Sequence, residues 1–124
     1  MHAALDDVLA IGRELLRATL VAQETLDEMT SVQFPGLAGV LPDHGRFDPL
    51  DWGLGVQLNT PAPTWMGSRV SRRTYGHFGG SGTFLWVDPE AEVVCASLTD
   101  REFDEWAKEA WPRLSDAVMD ELGR

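Results

Sequence analysis

At 124 residues the chain has the length of a single domain, which excludes a two-domain enzyme. Ten Lys and Arg against 20 Asp and Glu leave a net charge of −10, and Lys108 is the only lysine, so the clustered cations that nucleic acid requires are missing and anionic membranes are poor partners. The lone Cys95 cannot close an internal disulfide, no stretch reaches the ~18 apolar residues of a membrane span, and Asp6 and Asp7 stand where a signal peptide carries bases, which makes a cytoplasmic location the default expectation.

Taken in chain order, residues 4–18 read as a helix, with Leu5, Val8, Leu9, Gly12, Leu15 and Leu16 on one apolar stripe. A short helical turn follows at 23–29, with Thr25 as a weak cap. Residues 30–50 read as an irregular loop punctuated by Pro35-Gly36, Gly39, Pro42, Gly45 and Pro49; so long a loop is uncommon unless it is functional or packs on something. Trp52 to Leu58 alternates with period 2 and predicts a strand. Its glycines suggest close approach of another backbone, and Pro61-Ala62-Pro63 ends it. Residues 67–73 carry the only basic run, which reads as a solvated loop balancing nearby acids or, more sharply, as a rim for an anionic ligand.

Tyr75 to Thr83 holds four glycines in nine residues. Phe84-Leu85-Trp86-Val87 and Glu92 to Leu98 are apolar or β-branched runs joined at Asp88-Pro89-Glu90-Ala91, the pattern of an antiparallel hairpin with both faces covered. Residues 100–122 form the strongest helix. Its stripe runs through Phe103, Trp106, Ala107, Ala110, Trp111, Leu114, Ala117, Val118 and Leu122. Thr99 and Glu102 make a capping-box pattern, Pro112 should kink or divide the helix, and Gly123 is an end signal. The layout is α+β: a small antiparallel sheet of about three or four strands with the N-terminal and long C-terminal helices packed on it.

Few residues offer chemistry. His2, His44 and His77 are scattered without metal-ligand spacing, so neither a metal nor another cofactor is expected; His2 is read as solvated at the terminus and His44 as a loop residue. Gly76 to Gly82 is no phosphate-binding loop, because Lys-Ser/Thr is absent and a strand follows. Its glycines mark either a bend or bulge, or a strand whose bare backbone lets a ligand lie against it. His77 beside them is either structural or a group that polarises or donates to a bound acyl group. Trp106 and Trp111 read as core, whereas Trp65, in a Pro-rich segment, is a candidate pocket-lining residue. The adjacent pairs Asp104/Glu105 and Asp120/Glu121 read as solvation.

Trp52-Gly53-Leu54-Gly55, then Tyr75-Gly76-His77-Phe78-Gly79-Gly80-Ser81-Gly82-Thr83, then Leu85-Trp86-Val87-Asp88-Pro89-Glu90 and Leu98-Thr99-Asp100-Arg101, in this order, resemble the C-terminal part of the β-lactamase-related serine hydrolases. That group includes class C β-lactamases, penicillin-binding-protein-like peptidases and esterases. The resemblance implies acyl transfer on an ester, amide or β-lactam, with Ser and Lys from an S-x-x-K helix, a Tyr or Ser from a second motif, and a strand carrying Lys-Thr-Gly or His-x-Gly at the edge of the site. His77-Phe78-Gly79 matches the strand motif. By the same resemblance His77 would face the substrate's carbonyl or carboxylate, and the Gly80 N–H would be an oxyanion donor. His77, Gly79 and Gly80 are thus the expected substrate-binding residues.

The first two motifs are absent. Glu105 stands three residues before Lys108, and Tyr75 is followed by Gly76 and His77. In the family those motifs lie upstream of everything matched here. The expectation is a single partial domain over residues 1–124: the C-terminal portion of a β-lactamase-like fold, inactive alone, that meets a small acyl substrate only when completed by the N-terminal half. The alternative is a non-catalytic interaction module. The strand ending near Leu98 would then offer its unpaired edge to another chain, so that the chain self-associates.

Overall fold

The computed structural model describes residues 3–41, 43–61 and 64–124. The readings placed on His2, Pro42, Ala62 and Pro63 lie outside these residues.

Helix α1, Leu5–Leu16, begins with Asp6 and Asp7 in its first turn, where acids favour the helix N-terminus. The Asp7 carboxylate also accepts the Ala4 N–H at 3.0 Å. Gly12 is the one buried residue of α1, and a Cβ there would fall 2.3 Å from Val94 Cγ1. The glycine therefore lets the helix lie close on the sheet. Helix α2, Gln23–Met29, is capped by Ala22 and not by Thr25, which sits inside its first turn.

The expected irregular loop at 30–50 contains a two-stranded hairpin, β1 (Gly39–Leu41) with β2 (Gly45–Phe47). Three-residue strands among glycines and prolines give no period-2 signal, but the hairpin drives Leu41 and the following Leu50 into the core. The predicted strand from Trp52 to Leu58 is also corrected. Only Gln57–Leu58 forms a strand, β3, and Trp52 bridges back to Gln57 across a tight turn. Gly53 N–H donates to Val56 O at 2.9 Å, and Gly55 has φ +81°. The anticipated close backbone approach is real at Gly53, where a Cβ would sit 2.0 Å from Met29 O.

The main sheet runs β3-β4-β5-β6, antiparallel throughout, with β4 Tyr75–Gly79, β5 Thr83–Asp88 and β6 Val93–Ser97. Gly76 faces Trp86, His77 faces Leu85 and Gly79 faces Thr83, while Trp86 pairs with Cys95. Alternation along the strands sends Phe78, Phe84 and Trp86 into one core with Trp65 and Trp111, and sends Tyr75, Val87 and Val94 into another with Leu15 and Leu16 of α1. Among the described residues β6 pairs with β5 alone, and all five of its residues are half-buried, so the cover expected on both faces is complete for much of β5 but not for β6.

Helix α3, Glu105–Glu121, covers the Trp86 face through Ala107, Trp111, Ser115 and Met119. The expected stripe is wider than the real contact: Ala110, Leu114, Ala117 and Leu122 are exposed, and Trp106 is half-buried with Arg101 5.1 Å over its ring. Pro112 neither divides nor ends α3, because the packed residues on both sides hold it in the helix. The capping box is not formed. Asp104 is the N-cap and accepts the Glu105 N–H, while the Thr99 hydroxyl is engaged with the carbonyls of Gly82 and Arg101. Gly123, at φ +68°, closes the helix; its N–H meets Asp120 O and that of Arg124 meets Met119 O.

Trp65 is not a pocket residue. It is fully buried in the core, and its indole N–H donates to the buried Gln57 side chain at 2.9 Å. The run at 67–73 does balance acids: Asp116 of α3 accepts the Ser68 and Arg69 N–H groups and the Ser68 hydroxyl, and Arg69 pairs with Asp120. Asp104 and Asp120 thus have structural duties beyond solvation.

Candidate functional site

Strand β3 meets β4 only at Tyr75 and Gly76, so from His77 to Gly79 the paired side of β4 faces β5. The short β3 follows directly from the turn at 53–56, which uses up residues that would otherwise extend it. This leaves the outer edge of β4 beside His77 as the place where an extended ligand can align with backbone N–H and C=O groups.

The four glycines divide by function. A Cβ at Gly76 would fall 2.2 Å from Leu85 O, so Gly76 permits close pairing with β5. Gly82, at φ +78°, makes the turn, and a Cβ there would lie 1.8 Å from Arg101 O. At Gly79 the nearest atoms to a Cβ are 3.7 Å away, and at Gly80 none lies within 4 Å. Packing therefore explains Gly76 and Gly82 but not Gly79, where a Cβ would only touch the Ser81 and Thr83 hydroxyls, nor Gly80, whose bare backbone borders open space. The Gly80 peptide is fixed by its carbonyl, which accepts the Phe103 N–H at 2.9 Å.

His77 is exposed, on the face of β4 shared with Tyr75 and α1. Its Nδ1 lies 2.6 Å from Phe78 O. A carbonyl only accepts, so Nδ1 is the donor in this contact. The ring meets the Trp52 indole edge-on, with centroids 5.6 Å apart. A groove of about 300 Å³ runs past His77, Gly79 and Thr83 between the β4–β5 hairpin, Leu98 and Val8 of α1. The three expected residues thus lie together at one hairpin tip. Sequence reasoning missed Trp52, Thr83 and Val8 as neighbours of this site; for Trp52 its place in the Trp-Gly-Leu-Gly motif was the available signal.

The other reactive side chains lie elsewhere. Lys108 pairs with Glu105 on α3, which packs on the sheet face opposite His77. Burial pushes the Cys95 thiol up to about 11, so it is no thiolate nucleophile at neutral pH. His44 sits half-buried against Phe78 and Phe103, and burial holds its imidazole below the ordinary range. Among the described residues no group of three His, Cys, Asp or Glu could hold a metal ion, and no helix is long and apolar enough to cross a membrane.

The family model described as Beta-lactamase matches residues 1–119. The solved structure of a beta-lactamase from Mycobacterium bovis is 45% identical, with a TM-score of 0.93. The match covers 97% of this chain but spans only 44% of the length of that one. No curated protein matches the chain. With the hairpin, its His-x-Gly strand and the flanking helices all in place, the chain belongs to the beta-lactamase family.

Proposed function

We propose that the chain forms the substrate-binding wall of a serine acyl hydrolase, acting on an ester, amide or β-lactam. Its outer β4 edge receives the substrate, His77 faces the carbonyl or carboxylate, and the Gly80 N–H supplies one oxyanion contact. The supporting observation is the unfilled space over Gly80 beside the side of β4 that β3 leaves unpaired past Gly76. The sequence contains neither S-x-x-K nor Tyr-x-Asn, so the nucleophile and its base come from outside these residues. The chain alone is then inactive.

Two measurements test this reading. A fluorophosphonate probe should leave the isolated chain unlabelled; covalent labelling would show that it holds a nucleophile after all. Joined in one polypeptide to the part of the Mycobacterium bovis beta-lactamase that it does not match, the chain should support hydrolysis of a chromogenic β-lactam or ester. His77→Ala should then lower kcat/KM by about a hundredfold or more, within the range of a positioned acid–base or polarising group. Unchanged turnover would remove His77 from the site.

A second reading, a module that binds another chain through its sheet edge, is favoured by the half-buried β6 and by Leu98, which is 41% exposed just past it. It predicts that the chain self-associates as its concentration rises. A monodisperse monomer by light scattering across the micromolar range would overturn it.

A further inference from the structure

The turn that joins β1 to β2 carries a side chain to which the substrate-wall reading gives no role. His44 reaches from this turn into the aromatic cluster beside β4. Its ring centroid lies 5.5 Å from that of Phe78, edge-on, and 5.3 Å from that of Phe103. Its Nε2 is buried and has no hydrogen-bond partner among the described residues. Both rings belong to residues tied to the proposed site. Phe78 is the middle residue of His77-Phe78-Gly79, and its carbonyl lies 2.6 Å from His77 Nδ1. The Phe103 N–H donates to Gly80 O at 2.9 Å. The two rings that grip His44 therefore come from the two residues that fix the backbone on either side of Gly79.

The grip suits one protonation state. A neutral imidazole can leave one nitrogen bare, whereas an imidazolium carries an N–H on both. Phe78 and Phe103 offer that second N–H no acceptor, and a buried charge without a partner is costly. The charged groups around His44 do not reverse this. Burial disfavours the proton most and Lys108 on α3 adds to it, while Asp43 in the turn and Glu105 on α3 favour the proton without prevailing. Glu105 is itself paired with Lys108. The stabilisation from neutral His44 is therefore complete above the unfolded value of 6.5 and drains away as pH falls through the lower folded one. Leu41 anchors the hairpin in the core independently, so a charged ring can leave the cluster with the turn while β1 stays in place.

We propose that His44 is a positioning residue for the substrate wall: neutral, it wedges Phe78 and Phe103 in place behind Gly79 and Gly80, and protonated, it leaves the cluster and frees the Gly80 peptide. Mildly acidic solution thus loosens the oxyanion contact without altering a residue that meets the substrate. The effect on catalysis rests on the substrate-wall reading; the movement of His44 does not.

The movement is tested on the full chain by nuclear magnetic resonance and amide hydrogen exchange between about pH 8 and about pH 5, the range in which an imidazole takes up its proton. Corrected for intrinsic exchange, the protection of the Phe103 amide should fall by about tenfold or more as the His44 ring titrates, while the amides of β5, which is paired on both sides, keep theirs. His44→Phe keeps a ring in the cluster and removes the titrating nitrogen, so its Phe103 amide should hold its protection throughout. His77→Gln should still show the fall, because the proton acts at His44. A wild-type Phe103 amide that does not follow the His44 titration, or one that loses protection equally in His44→Phe, would overturn the proposal. In the joined polypeptide, acidification should lower kcat/KM of the wild type by about tenfold more than that of His44→Phe. A Phe103 amide that follows His44 with no such difference in kcat/KM would count against the substrate wall and leave the movement of His44 standing.

Discussion

Gly82→Ala is expected to lower the unfolding free energy by about 3 kcal/mol or more, among the largest single-residue losses in this chain. Two costs combine. An L-residue at the φ of +78° gives up about 1 kcal/mol relative to glycine, and the new Cβ would lie 1.8 Å from Arg101 O and 2.7 Å from Thr99 Oγ1. The first obstacle is backbone, so the β4–β5 turn or the segment leading into α3 must move. Either movement strains the bond from the Thr99 hydroxyl to Gly82 O and that from the Phe103 N–H to Gly80 O, each 2.9 Å. Urea denaturation should show a lower midpoint at an unchanged slope. Gly80→Ala is the matched control. Its Cβ meets nothing within 4 Å, so stability should change by no more than about 0.5 kcal/mol. In the fused, completed polypeptide the same substitution should still lower kcat/KM, because Gly80 is proposed to border the substrate. A stable Gly82→Ala, or a Gly80→Ala that unfolds the chain, would show that the roles of the two glycines are reversed.

The contrast between these glycines marks how far the sequence is readable. Their clustering is visible, and so is the His-x-Gly strand that they surround. Which glycine serves the turn and which borders open space depends on Arg101, Leu85 and Thr99, residues brought up by the fold and not by local spacing. The two long helices are legible because their apolar residues repeat with the helical period, and the β5–β6 hairpin because two apolar or β-branched runs flank a Pro-containing turn. Trp52 to Leu58 misleads for the opposite reason: a tight turn can alternate apolar and polar residues as a strand does, and only the contact of Gly53 with Met29 separates them. Trp65 is masked by its prolines. Its true setting comes from packing against Phe78, Phe84 and Trp111, residues distant in sequence, and from its bond to Gln57. The β1–β2 hairpin is too short to carry a period, yet it carries Leu41 into the core.

The other end of the β4–β5 hairpin rests on Asp88, and Asp88→Ala should cost about 3 kcal/mol. The carboxylate is fully buried at the end of β5. It accepts the Ser71 N–H and hydroxyl, each at 2.7 Å, and the Glu90 and Ala91 N–H groups at 3.0 and 3.1 Å. One side chain therefore ties the loop before β4 to the turn before β6. Alanine would leave three backbone donors without this acceptor. The Asp88→Asn substitution keeps one acceptor oxygen and should lose about half as much, since the amide NH2 group cannot accept from the donors it faces. Burial raises the proton affinity of Asp88, but the hydrogen bonds from the Ser71 and Ala91 N–H groups and the Ser71 hydroxyl outweigh it, and the carboxyl stays below its ordinary value of 3.8. The unfolded chain thus takes up this proton first as the solution is acidified. The stabilisation is fully present above the unfolded value and drains away as pH falls through the lower folded one. The stability gap between the wild type and Asp88→Asn, measured by urea denaturation, should therefore be widest near neutrality and narrow below pH about 4. A gap that stays constant down to strongly acidic pH would mean that the clamp does not depend on the ionised carboxylate.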